Sequence, residues 1–436
     1  VWRGGRGQLK ATVAATVEFR PTAVCGVVLQ RPQHQLDPSH PLRHTHVETM
    51  RISRISLVNW KNFADVDVEI PQRVFLVGPN ASGKSNFLDA IRFLRDIARS
   101  GGSLDTALKA RGGFSKIRNL GARRRNEVVI TVDLVDESTG ALWHYSLALE
   151  QQSRGLHQTV VAHELVRRND ERILERPGDD DKADVLLRTQ THLEQIAKNG
   201  QFRDIANFFA GCTYVHLIPQ LIRRPEYFFN PSVNPDEDEF GFHFIERIKQ
   251  TPETTRNARL KKIEKALQVA VPQLKDLTIS TDEITGVPHL EATYEHWRPN
   301  AGRQRESQFS DGTIRLVGLL WSILEARELL LLEEPEISLH YSIVGRLPAL
   351  MYRMNQTRKG RRIQTIVSTH SADLLAGDGI TGDEILMFLP SQEKTEVRCA
   401  ANIPDVEKLL EGGLAPYEVV LDRTAPPHVQ EFDFID

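Results

Sequence analysis

RVFLVGPNASGKSNFLDAIRFL, residues Arg73–Leu94, sets an apolar run, a glycine-rich loop and an amphipathic run in succession. Val74–Val77 reads as a buried strand ending at Gly78. Beyond the loop, Phe87, Leu88, Ile91, Leu94 and Ile97 recur on one face of a helix. Strand, loop and helix in this order make a phosphate-binding P-loop. The candidate nucleotide cradle is Gly78, Pro79, Asn80, Ala81, Ser82, Gly83, Lys84, Ser85 and Asn86. Its backbone N–H groups can converge on phosphate oxygens. Gly78 and Gly83 allow the close approach, and the helix N-terminus adds partial positive charge. Lys84 would reach the β- and γ-phosphates as a catalytic charge, and Ser85 would offer its hydroxyl to Mg2+. A plain glycine-rich turn would account for the glycines and leave Lys84-Ser85 unexplained.

The second anchor is LLLLEEPE, Leu329–Glu336. Four leucines predict a strand buried on both faces. Glu333 and Glu334 then stand at its carboxyl end, where phosphate and metal sit in a P-loop fold. One acid can hold the hydrated metal and the next can polarise an attacking water. Alone, the pair would read equally well as a solvated acidic turn; the P-loop upstream gives it chemistry.

Composition sets the outer limits. The 436 residues suit one large or two medium domains. Hydrophobic residues make up 40% and charged residues 26%, as in a globular chain with a real core. The net charge of −3 gives no overall basic field, so attraction to nucleic acid would fall to local patches. Cys25, Cys212 and Cys399 are few and far apart, which predicts a reduced, cytoplasmic protein with no disulfide framework or clustered metal site. No apolar run approaches the roughly 18–20 residues that span a bilayer, so no membrane partner is expected.

Along the chain, residues 1–49 (RPQHQLDPSHPLRHTH among them) lack sustained periodicity and the apolar centre of a secretory signal. They are expected to be upstream sequence or a disordered tail, with the natural start near Met50; a transit peptide is the alternative. Residues 50–168 form the first half of the predicted core: a hairpin from Ile52–Val58 and Val66–Ile70, the P-loop unit, and an antiparallel meander from Val128–Val135, Leu142–Glu150 and Thr159–Arg168. Residues 169–300 read as a mixed, largely helical insert. It opens with a charged, exposed loop at Asn169–Asp184, followed by helices at His192–Phe209, Phe242–Lys249 and Thr254–Val271. A buried strand at Tyr214–Ile218, a loop at Pro225–Glu239 and strands at Leu277–Thr281 and His289–His296 complete it. Residues 301–436 resume the core, with helices at Asp311–Glu328 and His340–Met354 and a buried strand at Ile363–Ser368 before Thr369-His370-Ser371. Strands alternating with helices imply an α/β parallel sheet with the P-loop at the strand carboxyl ends.

Four segments now stand in a familiar order: GPNASGKS, FSDGT (Phe309–Thr313), LLLLEEPEISLH (Leu329–His340) and IVSTHS (Ile366–Ser371). This order resembles an ABC-type ATPase head, and in particular the prokaryotic AAA family ATPases related to RecF, SMC and OLD (overcoming-lysogenization-defect) proteins. The opening ISLVNWKNF resembles the first strand of RecF- and SMC-like heads. The resemblance implies an α/β fold: an ABC-type P-loop NTPase head with a mixed parallel core sheet, an antiparallel β meander and a helical insert. It places Glu333 at the metal-side Walker B position, where transporter ATPases have Asp and the OLD-like branch has Glu, and Glu334 at the catalytic base. It matches Ser310 and Gly312 to the signature loop that touches the γ-phosphate held by an opposite subunit, with Asp311 in place of the common glycine. It matches His370 to the switch histidine and Ile337–His340 to the D-loop. Gln220 is the candidate Q-loop residue, with an ordinary polar loop residue as the alternative.

By that resemblance the cofactors are ATP and Mg2+, and the partner is a second copy of the chain, joined when ATP is sandwiched between two heads. The interval from Ser85 to Ser310 is too short for SMC-type coiled-coil arms, and the stretch after His370 too short for a TOPRIM nuclease domain. The expectation is therefore an ATPase switch acting with a separate effector, or on DNA, in anti-phage defence or DNA repair. Rival readings are a non-catalytic ATP-sensing scaffold and a transporter nucleotide-binding subunit. Basic clusters at Arg123–Arg125, at Arg223–Arg224 and at Arg353 with Arg358, Lys359, Arg361 and Arg362 could follow nucleic-acid phosphates, or simply be solvated.

Overall fold

The computed structural model describes residues 50–121, 127–152, 157–223, 238–295, 302–356, 362–377, 379–391 and 394–424. The segment 1–49, Arg123–Arg125, Arg224, Arg358, Lys359, Arg361 and most of the Pro225–Glu239 loop lie outside them.

Fifteen strands can be followed: β1 (Met50–Trp60), β2 (Phe63–Glu69), β3 (Arg73–Val77), β4 (Val128–Asp136), β5 (Leu142–Gln151), β6 (Thr159–Arg168), β7 (Glu171–Arg176), β8 (Thr213–Val215), β9 (Leu274–Thr281), β10 (Pro288–Tyr294), β11 (Arg303–Arg305), β12 (Leu329–Glu333), β13 (Gln364–Thr369), β14 (Ile385–Pro390) and β15 (Thr395–Cys399). One sheet is wholly antiparallel, in the order β2-β1-β4-β5-β6-β7. The second, β15-β14-β3-β13-β12-β8, is parallel except for β15 at its edge. A small antiparallel sheet, β11-β10-β9, packs with the helix Glu253–Leu267. The architecture is α/β with a mixed core sheet.

Side-chain alternation explains the layering. Antiparallel β4 alternates buried and half-buried residues along its whole length, as a one-faced strand must. The central parallel strands are buried on both faces: Val74–Val77, Leu329–Leu332 and all of β13. Their odd and even positions feed two different cores. Val74, Leu76, Leu329, Leu331 and Ile366 pack with the P-loop helix (Lys84–Ala98) and the antiparallel sheet. Phe75, Val77, Leu330, Leu332 and Val367 pack with the helix Asp311–Glu325 on the opposite face. Buried Gln364 ties the two sheets: its amide donates to the carbonyls of Ile52 (2.7 Å) and Pro71 (2.9 Å), and its oxygen accepts from Ile52 N–H (2.8 Å).

Several local expectations change. Asn169–Asp184 is largely exposed, as expected, but it is not a loop. It carries β7 and the short helix Asp179–Ala183, because Arg176 is buried against Glu164 and Asp181 and pins the segment to β6. The helix expected over His192–Phe209 is confined to Arg203–Ala210, with a 3-10 turn at Asn199–Phe202. Upstream, the N–H groups of His192 and Leu193 donate to the Glu164 carboxylate. The expected helix over His340–Met354 divides into Tyr341–Val344 and Leu347–Gln356. Pro348 has no N–H to donate back to Val344, so the division falls just before it, at Gly345-Arg346, and the proline sits in the first turn of the second helix. A C-terminal helix, Pro416–Thr424, had no counterpart in the sequence reading.

Candidate nucleotide site

Strands β3, β13 and β12 lie side by side, with Val77 opposite Thr369 and Ser368 opposite Glu333. Their carboxyl ends are therefore level, and the segments that follow them meet in one row. Gly78–Gly83 leaves β3, Glu334–His340 leaves β12, and His370 leaves β13.

The loop after β3 turns through left-handed residues at Ala81 (φ 62°) and Gly83 (φ 103°). Gly83 caps the helix Lys84–Ala98, whose own first turn contains no acidic residue. A Cβ on Gly78 would lie 2.8 Å from Phe388 and from Ser82 Oγ, and one on Gly83 would lie 2.2 Å from Asn62 Nδ2. Ser82 Oγ is buried without a partner, while Asn80, Ala81 and Ser85 face outward. Buried Lys84 donates to the carbonyls of Gly78 (2.6 Å) and Pro79 (3.0 Å). Burial lowers the affinity of its amine for a proton, against the pull of Glu334, Glu333 and Glu336.

Both oxygens of Glu333 are engaged by hydroxyl donors. Ser85 donates to Oε1 and Tyr214, on β8, donates to Oε2. Burial and the neighbouring Glu333 push the Tyr214 phenol well above its ordinary range, so it stays a donor at any physiological pH. Glu334 adopts φ 45°, a left-handed conformation that costs a non-glycine residue about 1–3 kcal/mol. Its N–H donates to Ser368 O (3.0 Å) and its Oε1 lies 3.2 Å from His370 Nδ1. Glu336 is buried; Oε1 accepts from Thr369 Oγ1 (2.5 Å) and Oε2 has no partner. Burial raises its carboxyl above the ordinary value.

A second group forms around the helix Asp311–Glu325. Ser310 caps it, its Oγ accepting from Thr313 N–H at 3.1 Å. Gly312 faces the turn after β12 so closely that a Cβ there would sit 2.7 Å from Ser338 O. Gln220 donates to Asp311 Oδ2 (3.2 Å), so its amide joins this group and not the Ser85–Glu333 pair. Asp311 also pairs with Arg223.

Three side chains of the candidate site have no counterpart among the residues expected from sequence. Asn62, in the β1–β2 turn, donates to Ser82 O (3.0 Å) and Thr395 Oγ1 (2.9 Å) and accepts from Asn86 (2.8 Å), fixing the hairpin onto the P-loop. Tyr214 and Glu336 are the others. None has a local signature, because each acts through a neighbour distant in sequence. A polar cavity of about 500 Å³ borders Ser85 and Glu333, lined also by Asn86, Asp89, Arg92 and Tyr214. Among the described residues, no group of three or more His, Cys, Asp or Glu is arranged to hold a metal by itself, and no helix is long and apolar enough to cross a membrane.

The chain is similar to known proteins. The family model described as "AAA domain, putative AbiEii toxin, Type IV TA system" matches residues 73–376. Endonuclease GajA of Bacillus cereus (strain VD045) is 23% identical over 389 residues, covering 82% of this chain and 61% of that protein. The DNA replication and repair protein RecF of Brucella abortus (strain 2308) is 36% identical over 72 residues, covering 16% of this chain and 19% of RecF. This chain thus spans less than two thirds of the length of either. The SMC head domain from Thermotoga maritima aligns over 80% of this chain and 98% of its own, at 14% identity and a TM-score of 0.44. With the P-loop, the acidic strand end and the histidine strand all inside the matched 73–376 segment, the chain belongs to this AAA-domain family of nucleotide-binding ATPases in the ABC-ATPase superfamily.

Proposed function

We propose that the protein is a Mg2+-dependent ATPase switch that pairs with a second copy of itself on ATP and releases it on hydrolysis. The observation that carries this is the meeting of Ser85 with Glu333 beside the Glu334–His370 pair. The residues fit the ligand. Gly78 and Gly83 leave no room for a Cβ, and Ser82 Oγ is buried with a free acceptor and donor. Ser85 and Glu333 supply the hard oxygens that Mg2+ takes alongside substrate phosphates. Lys84, Ser85 and Glu333 would hold Mg–ATP, and the bound metal would neutralise charge developing on the phosphates.

The chain's own groups supply the rest. Glu334 orients a water and accepts its proton, while His370 holds the Glu334 carboxylate in place. Ser310 and Gly312 group with Thr313, Asp311 and Ser338; in this reading they would meet the ATP held by a second copy. Loss of the γ-phosphate would remove the contacts that favour pairing. The names of the relatives, an endonuclease and a DNA replication and repair protein, favour a role on DNA; the OLD-like motif order extends the reading to anti-phage defence, with DNA or a separate effector as partner.

Phosphate release and light scattering test the reading together. Wild type should release phosphate with Mg–ATP. Glu334→Gln should abolish release and accumulate a dimer with ATP. Equal, slow release by both proteins would replace the reading with a non-catalytic scaffold, and a monomer with ATP bound would remove the dimer.

A further inference from the structure

We propose that Tyr214 is a positioning residue for the metal-side carboxylate, locking Glu333 so that one oxygen alone is open to the cation. The inference rests on the reading of Ser85 and Glu333 as the Mg2+ side of the site.

Register explains why a tyrosine serves here. Strand β8 runs parallel to β12, with Tyr214 opposite Leu331 and Val215 opposite Leu332. Paired residues share a face, and Leu331 and Glu333 share one by alternation. Tyr214 therefore sits on the same side of the sheet as Glu333 but two residues short of it, roughly 6.6 Å along the strand. A long, stiff side chain ending in a donor spans that gap, and the phenol bonds Glu333 Oε2.

The P-loop helix grips the same assembly from above. Ser85, Asp89 and Arg92 follow a helical i, i+4, i+7 stripe. Ser85 donates to Glu333 Oε1 at one end. At the other, the Arg92 guanidinium lies 4.1 Å from the centre of the Tyr214 ring and pairs with Glu239, with Asp89 3.4 Å away. Tyr214 is thus held by its ring as well as its hydroxyl, and is only 7% exposed. Ser85 is exposed. Of the two oxygens of Glu333, the one beside Ser85 is the one an incoming cation can reach.

The test is a Mg2+ titration of fluorescent-ATP binding to wild type, Tyr214→Phe and Ser85→Ala, with parallel titrations in EDTA and thermal melts. Phenylalanine keeps the ring under Arg92 and removes only the hydroxyl. Tyr214→Phe should raise the half-saturating Mg2+ concentration about tenfold, in the direction of Ser85→Ala. Its nucleotide affinity in EDTA and its melting temperature should match wild type. A Mg2+ midpoint within twofold of wild type, or a lower one, overturns the inference. So does a joint loss of metal-free affinity and melting temperature, which would make Tyr214 a packing residue. If wild type itself binds nucleotide without any Mg2+ dependence, it is the reading of the site that fails.

Discussion

Replacing Arg176 by Ala would remove the cation from a fully enclosed cluster, and its consequence can be worked out group by group. The Arg176 guanidinium donates to Glu164 Oε2 (3.1 Å), Asp181 Oδ2 (3.1 Å), Leu187 O (3.0 Å) and Gln190 O (2.9 Å). Glu164 is 0% exposed and also accepts from Tyr145 OH (3.1 Å), His192 N–H (2.8 Å) and Leu193 N–H (3.2 Å). Breaking one partner out of such a buried pair costs about 3–5 kcal/mol, because the other charge is left uncompensated. For a slope near 3 kcal/mol/M, that moves a urea midpoint by about 1 M or more. The loss should depend on pH with a definite sign. Burial already raises the Glu164 carboxyl above its reference value of 4.5 with Arg176 in place. A raised carboxyl means the folded state keeps a proton that the unfolded chain has released. Its stability is full below about pH 4.5 and is lost as pH rises through the folded value. Without Arg176 the folded value climbs further, so the deficit should be smallest in acid and grow toward pH 8. Urea unfolding of wild type and Arg176→Ala at pH 5 and pH 8, followed by tryptophan fluorescence, reads both effects. A deficit under about 1 kcal/mol, or one equal at both pH values, refutes the account of residues 169–190 as a segment anchored by this ion cluster.

Other expectations are more local. Gly83→Ala must set a Cβ 2.2 Å from Asn62 Nδ2 at φ 103°, and should cost about 1–3 kcal/mol of stability and abolish most nucleotide binding, as a melt and a binding titration would report. Glu336→Gln removes a buried charge whose Oε2 has no partner, and should stabilise the protein by about 1 kcal/mol near pH 8. That gain should vanish on acidification, as wild-type Glu336 takes up its proton; a variant less stable at pH 8 in a urea titration contradicts this. Burial pushes the Cys212 thiol up to about 12, so at pH 8 only about one molecule in ten thousand carries the thiolate. Mass spectrometry after iodoacetamide should find Cys212 unmodified in the folded protein and modified in urea.

Much of the nucleotide core was legible because its signals are local. A strand that must be buried on both faces shows itself as an unbroken apolar run, as Leu329–Leu332 does, and the P-loop carries its chemistry in consecutive residues. The antiparallel meander was legible from alternation and its turns, although β7 was not. Its strand is short and charged, and what holds it in the sheet is Arg176 reaching across to Glu164, a contact that leaves no periodic trace. The same reason hid Tyr214 and Asn62. Each bonds a residue more than a hundred positions away or on another motif, and neither residue type announces that role. Gln220 follows a short strand, and that strand does border the site. The side chain that reaches Glu333, however, comes from within the strand, while Gln220 turns to Asp311. The helix break at Gly345-Arg346 was foreseeable from Pro348 just beyond it; the capture of His192 and Leu193 N–H by Glu164 was not.

The strand order has a consequence for how the chain acquires its shape. In sequence the three motif strands run β3, β12, β13, yet in the sheet β13 lies between the other two. The P-loop strand and the acidic strand never pair with each other; both pair with the strand made last. A ribosome that has delivered everything through Glu334 has therefore produced two sheet edges with a one-strand gap between them, and Ser85 cannot settle against Glu333 until Gln364–Thr369 has closed it. Such sequence-distant pairing is slow and leaves unpaired edges exposed meanwhile. The meeting of Ser85 with Glu333 thus depends on the insertion of Gln364–Thr369, which brings His370 into place in the same event.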